Sequence, residues 1–311
     1  MSAIIVTYDS AACVGQCIAS VQRALPDAEI IVVDNGSHDD TVDTVLSVAP
    51  QAQVLESPEN IGFGRACNAG AERAEGSYLL LLNPDAAVAT VEHQKLHTLL
   101  ATRPLGLVAP ALEGDGNRRR PEKPWTQEYV AHTFETLRPR EWRRSDSRGR
   151  RARGAWFSGA MLLVSRDEFL GIGGFDPRFF LYYEDRDLSR RYRMAGLPLR
   201  TTEAIRGRHA AGTSSASDDL RAGPMAWSLL SWIQYTWIYD GERSARRAAH
   251  VTLTTLRVLR FSMHALAALR WNRARRKAFQ LDRVIRLLNE FASDDESSFC
   301  PDALALVRGI T

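Results

Sequence analysis

Three acids stand together in Tyr182-Tyr183-Glu184-Asp185-Arg186-Asp187-Leu188. Leu188 and Tyr192 follow at helical spacing, so the acids open a helix. The positive end of a helix dipole stabilises carboxylates and helps keep them ionised. An ionised aspartate in a cleft can take a proton from a hydroxyl. Simple charge preference at helix starts gives the same pattern. The preceding Gly-Gly-Phe-Asp-Pro-Arg-Phe-Phe favours a site, because aromatics beside acids suit the faces of a sugar ring. Asp185 is the first candidate for the base, and Glu184 is the second.

Two further carboxylates follow strand-like runs. Asp34 ends Val32-Val33 and leads into Asn35-Gly36-Ser37. There it can accept an N–H from a pyrimidine base, or it can close an Asx turn. Asp85 ends Asn83-Pro84-Asp85 after a leucine run. It suits a metal ion, and a strand-to-loop turn explains it equally. A lone histidine is usually structural. His209 gains meaning only beside Asp85, because a metal wants more than one protein ligand.

Alternating elements must position these groups. Strands are expected at Ile4–Thr7, Glu29–Asp34, Gln53–Glu56 and Tyr78–Leu82. Helices are expected at Cys13–Leu25, Thr41–Val48 and Gly64–Ala74. This alternation implies an α/β fold with a doubly wound, mostly parallel sheet flanked by helices. In such sheets ligands lie beyond the carboxyl ends of strands, where Asp34 and Asp85 fall. Further on, a strand is expected at Ala160–Ser165, short helices at Asp167–Leu170 and from Glu184, and strands near Pro198–Thr201 and Ala204–Arg208. Residues 1–215 read as one domain. Within it, 113–153 reads as a basic, mobile excursion rich in Arg, Pro and Gly. Residues 216–311 read as a helical, basic C-terminal extension.

The 311 residues carry a formal net charge of +3, with arginine dense in 138–153 and 243–277. Such patches suit a phosphate-rich ligand or an anionic surface. Cys13 and Cys17 lack the matching Cys/His pair that a zinc site needs. They read, with Cys67 and Cys300, as buried thiols in a reducing compartment. No basic flank and long apolar run mark a signal peptide. Val251 to Leu269 contains Arg257, Arg260 and His264, which are costly at bilayer depth. A cytoplasmic protein, peripheral on the inner face of the cell membrane, is expected.

At this point the residues resemble a family. Ile5-Val6-Thr7-Tyr8, Val32 to Ser37, Asn60-Ile61-Gly62-Phe63-Gly64 with Asn68, Asn83-Pro84-Asp85, and Glu184-Asp185 with His209 occur in the order of family 2 glycosyltransferases. The set is similar to the bacterial rhamnosyltransferase branch that builds cell-wall and surface polysaccharide, over about residues 3–215. The resemblance implies the GT-A fold and inverting, metal-dependent transfer of a sugar from a nucleotide diphosphate. It implies that Thr7 and Tyr8 line the nucleotide pocket and that Asp34 holds the base. Arg65 and Asn68 would stand near base, ribose or phosphate. Asp85 would hold Mg²⁺ or Mn²⁺ as the last residue of an Asp-X-Asp motif. Asn83 replaces the motif's first acid and is grouped with the nucleotide pocket. Asp185 would be the base, with Glu184 beside it, and His209 a further metal ligand. The donor implied is a dTDP- or UDP-sugar, dTDP-rhamnose first. The acceptor implied is a glycan or polyprenol-linked glycan.

The run from Trp227 to Tyr239, followed by the arginines of 243–277, suggests an anionic membrane surface as partner. A helical subdomain or homodimer interface is the alternative. A dehydrogenase would want Gly-x-Gly-x-x-Gly after the first strand, where Tyr8-Asp9-Ser10-Ala11 stands instead. A nucleic-acid-binding module is disfavoured by the acids at 184–187. A non-catalytic binder of sugar nucleotides is disfavoured by Asp85, Asp185 and His209 together.

Overall fold

The computed structural model describes residues 1–113, 156–210 and 223–268, with 282, 285 and 286. The expected excursion at 113–153 lies almost wholly outside the described residues. So do Cys300 and the arginines from 270 to 276. The described residues form two compact units, one of residues 1–113, 156–177 and 184–210, the other of 178–183 and 223–268.

The first unit is built on strands of which the central ones are aliphatic on both faces. In order they are β1 (Ser2–Thr7), β2 (Glu29–Asp34), β3 (Gln53–Glu56), β4 (Tyr78–Leu82), β5 (Ala86–Val91), β6 (Leu107–Glu113), β7 (Met161–Ser165) and β8 (Leu199–His209). They make one sheet in the order β3-β2-β1-β4-β7-β6-β8-β5. The β3-β2-β1-β4 half is parallel, β7 runs antiparallel to β4, and β6 lies parallel to β8.

Side chains alternate across the pleat into two cores. Ala3, Ile5, Ile30, Val32, Leu80 and Leu82 enter one core. Ile4, Val6, Ile31, Val33, Leu79 and Leu81 enter the other. Strands buried on both faces read as continuous apolar runs, which is why Leu79 to Leu82 is unbroken. Full burial of each such leucine contributes roughly 1.5–3 kcal/mol.

Helices α1 (Ala11–Ala24) and α2 (Thr41–Val48) cover the first core with Val14, Cys17, Ile18, Val21 and Val45. Helices α3 (Phe63–Arg73), α5 (Arg166–Gly171) and α6 (Glu184–Met194) cover the second with Ala66, Cys67, Ala71, Phe169, Leu188 and Tyr192. Cys17 and Cys67 are thus buried core thiols. Helix α4 (His93–Leu100) buries only Leu96.

The second unit holds α7 (Gly223–Asp240) and α8 (Glu242–Ala268), which pack on each other. Trp227, Leu229, Leu230 and Ile233 are buried. Trp232, Tyr235, Trp237 and Tyr239 of the same run are half-buried. Among the described residues, no helix is long and apolar enough to cross a membrane.

Candidate active site

The carboxyl ends of the parallel strands carry the candidate residues. Register pairs Thr7 with Asp34 at the ends of β1 and β2. Asp34 is buried and accepts three hydrogen bonds: from Thr7 Oγ1 at 2.8 Å, Ser37 Oγ at 2.6 Å and Ser37 N at 3.0 Å. The backbone bond comes from three residues on, so Asp34 closes the Asp-Asn-Gly-Ser turn like a capping carboxylate. That geometry is compatible with a ligand, since a carboxylate offers about four lone-pair sites.

The next residues lock two motifs together. Asn35 Nδ2 donates to Asn60 Oδ1 at 2.8 Å, and Ile61 N donates back to Asn35 Oδ1 at 2.8 Å. Gly36 lies between them at φ 80°, and a Cβ there would stand 3.0 Å from the Glu59 carbonyl carbon. Only glycine suits both the dihedral and the space. Tyr8 precedes Asp9, which is left-handed at φ 45°, and its N–H donates to Ser10 Oγ at 3.2 Å.

Arg65 and Asn68 sit on α3 and turn towards the segment before α6. Arg65 Nε donates to the Pro177 carbonyl at 2.7 Å. Asn68 clamps Phe175, donating to its carbonyl and accepting its N–H, both at 2.8 Å. The resemblance implied a nucleotide contact for Asn68. Its amide also anchors the Gly-Gly-Phe turn, through the Phe175 N–H and carbonyl.

Asp85 and His209 come together across a β-ladder. Ala86 of β5 pairs with His209 of β8, and His209 Nε2 lies 3.1 Å from Asp85 Oδ1. Asn83 Nδ2 is 3.5 Å from the same ring nitrogen. The Asp85 side chain is buried to 1% exposure and that of His209 to 23%. Among the described residues, no group of three or more His, Cys, Asp or Glu could hold a metal ion. The pair nonetheless fits Mg²⁺ or Mn²⁺. Such ions are commonly held by one or two protein ligands while substrate phosphates and water complete the shell, and Mn²⁺ accepts imidazole as well as carboxylate.

Glu184 and Asp185 open α6 in different surroundings. Glu184 is buried, and its Oε2 has no hydrogen-bond partner. Burial, then the Asp185 and Asp187 charges, push its carboxyl well above the usual range. Asp185 Oδ2 accepts the Gly159 N–H at 3.1 Å, and Oδ1 accepts the Arg186 N–H at 2.7 Å. Burial pushes it up to about 6, held back by those N–H groups and the Arg186 guanidinium. Asp185 is thus ionised at neutral pH yet close to its titration, as a general base needs. Asp187 pairs with Arg191 at 2.7 Å and braces the helix.

Sequence reasoning passed over the residues that join the two ends. Gly159 and Ala160 lead into β7. Gly159 N reaches Asp185, and the Ala160 carbonyl accepts the Asn83 N–H at 3.0 Å. One dipeptide thus connects the candidate base to the Asn-Pro-Asp turn. A Cβ on Gly159 would come within 3.3 Å of Phe63 and 3.7 Å of Asp185. Nothing in the type or spacing of Gly159 flags it in the sequence.

The mixed sheet flanked by helices is that of the GT-A fold, and known structures share it. S. aureus TarS 1–349, in complex with UDP-GlcNAc, aligns with TM-score 0.51 and 14% identity over 93% of this chain and 90% of its own. GalNAc-T7 with UDP, GalNAc and Mn²⁺ aligns with TM-score 0.53 and 16% identity over 76% of this chain. The alignment spans about half of that protein, 47%. The Glycosyl transferase family 2 model matches residues 2–166, and the chain belongs to that family. The N-acetylglucosaminyl-diphospho-decaprenol L-rhamnosyltransferase of Mycobacterium tuberculosis (strain ATCC 25618 / H37Rv) is 28% identical over 228 residues, 62% of this chain and 70% of the relative.

Proposed function

We propose that this glycosyltransferase moves L-rhamnose from dTDP-rhamnose to a hydroxyl of a lipid-linked glycan, inverting the anomeric centre. The donor and acceptor classes are supported by likeness to the rhamnosyltransferase of a decaprenol-linked substrate. The observation that carries the chemistry is the Gly159-Ala160 link between Asp185 and the Asn83–Asp85 turn. Thr7, Tyr8 and Asp34 hold the nucleoside, with Asn83 and Arg65 towards its phosphates. Asp85 and His209 would hold a divalent cation, which would supply positive charge where the diphosphate departs. Asp185 removes the acceptor O–H proton as that oxygen bonds to the anomeric carbon. The sugar–phosphate C–O bond breaks on the opposite face, and dTDP leaves with the electron pair. Glu184, held protonated beside Asp185, is not available as the base.

The exposed face of α8 supports a cytoplasmic protein bound to the inner face of the membrane. Arg243, Arg247 and Arg257 lie on it, with Val258 61% and Phe261 77% exposed. Basic and apolar groups on one helix face suit anionic lipid headgroups.

The test is thermal shift with dTDP-rhamnose, with and without Mn²⁺. Binding to the native state raises the melting temperature by mass action. Protection by dTDP-rhamnose should need Mn²⁺ and should be lost in Asp85→Ala and in His209→Ala. Protection by thymidine should survive in both. A shift with UDP-hexoses alone would replace the donor, and full activity after exhaustive chelation would remove the metal.

A further inference from the structure

An exposed tryptophan stands beside the candidate base. Trp156 lies in the segment that leads through Phe157 and Gly159 into β7, and it is 42% exposed. A lone exposed aromatic is ordinary on a protein surface. What distinguishes Trp156 is how firmly its place is set and what lies next to it.

Two hydrogen bonds lay this segment along the first turns of α6. Gly159 N donates to Asp185 Oδ2 at 3.1 Å, and Phe157 N donates to Ser189 Oγ at 3.1 Å. Asp185 and Ser189 are four residues apart and so share one face of the helix. Arg186, which follows the candidate base, supplies a third hold. Its guanidinium carbon lies 4.5 Å from the centroid of the Trp156 ring. The same guanidinium is close enough to Asp185 to hold its carboxyl down against the effect of burial. One cation is thus shared between the indole and the candidate base. All of these residues belong to the first unit.

A cation over an exposed ring stabilises a fold only slightly, and burying the indole would stabilise it more. Surface packing therefore gives little reason to pin a tryptophan in solvent at this place. A sugar gives one. The face of an indole is electronegative, and the C–H groups on the face of a sugar ring are apolar and weakly positive. A ring that is fixed beforehand loses little freedom when a ligand stacks on it. A hydroxyl of that sugar is then held beside a carboxylate that can take its proton, which converts binding into orientation.

We propose that Trp156, steadied by Arg186, is the acceptor platform: its exposed indole stacks on the acceptor's sugar ring and presents a hydroxyl of that ring to Asp185. The proposal rests on the reading of Asp185 as the base and of the acceptor as a glycan.

Steady-state kinetics on the full chain test this, with dTDP-rhamnose as donor and an alkyl N-acetylglucosaminyl diphosphate as acceptor. Trp156→Ala and Trp156→Leu remove the ring, whereas Trp156→Phe keeps one. The first two should raise the acceptor KM by roughly 10- to 30-fold, the scale of losing a tryptophan anchor, while the donor KM holds. Trp156→Phe should recover most of that loss. Either ring-less variant decides the matter if the other fails to fold. An unchanged acceptor KM in it overturns the platform, and so does a rise confined to the donor KM. An equal loss in Trp156→Phe overturns the stacking on which the platform depends. A fully active Asp185→Asn overturns the assignment of the base, and no transfer by the wild-type protein overturns the donor or acceptor reading. An inactive Asp185→Asn beside an unchanged acceptor KM in Trp156→Leu overturns the platform alone.

Discussion

Asp34 and Glu184 are buried carboxylates and Asp185 beside the latter is half-buried, and the two sites differ in how their oxygens are met. Asp34 sits among donors: two hydroxyls and a backbone N–H reach it within 3.0 Å. Glu184 has a buried oxygen with no partner at all. Asp185 lies between these extremes, with one backbone N–H on each oxygen. A buried polar group left unmatched is costly. The first site therefore strengthens the fold while it shapes a pocket. At the second, burial pushes Glu184 well above the usual carboxylate range and Asp185 up to about 6, where a proton-accepting group is useful. The proposed roles follow the same difference, Asp34 as a group that holds and Asp185 as one that reacts.

The largest effect should come from the reacting group. Asp185→Asn removes the base but keeps the shape, and should lower kcat by roughly 10²–10⁴-fold with donor affinity little changed. The acid limb of kcat/KM in the wild-type protein should fall near pH 6, where Asp185 takes up its proton. A larger loss in Glu184→Gln than in Asp185→Asn would transfer the role to Glu184 and reverse the contrast.

A middle effect is expected at the holding group. Asp34→Asn replaces one acceptor oxygen with a donor, which then faces either the Ser37 N–H or the Thr7 and Ser37 hydroxyls. Leaving buried donors unmatched costs about 1–3 kcal/mol. Denaturant melts should show that loss, and calorimetry should show weaker binding of thymidine. Unchanged stability would mean that the three hydrogen bonds do not hold the strand ends together.

The same contrast explains what the sequence made legible. Strands β1 to β4 are visible because both faces are buried, which leaves unbroken aliphatic runs between Asx and Gly turns. Strand β5, Ala-Ala-Val-Ala-Thr-Val, has a register shift between Val88 and Thr90 and no such run. Helix α4 buries one residue, so its periodicity is faint. Strand β6 contains Pro110, which argues against a strand, and its register with β8 shifts at that point. Strand β8 is one element where the sequence suggested two pieces. Asp34 and the acids at 184–187 were legible by type and by place at element ends. The meeting of Asp85 with His209 was not, because it depends on the β5–β8 ladder between distant segments. Only the family resemblance suggested it. Gly159 carries no side chain to notice, and its part is wholly in its N–H and its lack of a Cβ.

The smallest expected effect concerns Glu184 and stability. Its carboxyl holds its proton more tightly in the folded protein than in the unfolded chain. The stability that this proton contributes is complete below the ordinary glutamate range. It drains as pH rises, because the unfolded chain ionises freely while the folded protein must stay protonated or bury a charge. Glu184→Gln mimics the protonated carboxyl and cannot ionise. It should match the wild-type melting temperature near pH 4 and exceed it at pH 8 by about 2–4 °C, the shift that roughly 1 kcal/mol makes in a domain of this size. Asp34→Asn should show the opposite sign at pH 8, since it removes one of the two acceptor oxygens that three donors share. A Glu184→Gln variant less stable than wild type at pH 8 would mean that Glu184 is ionised and matched in the folded protein, and the two sites would then be alike.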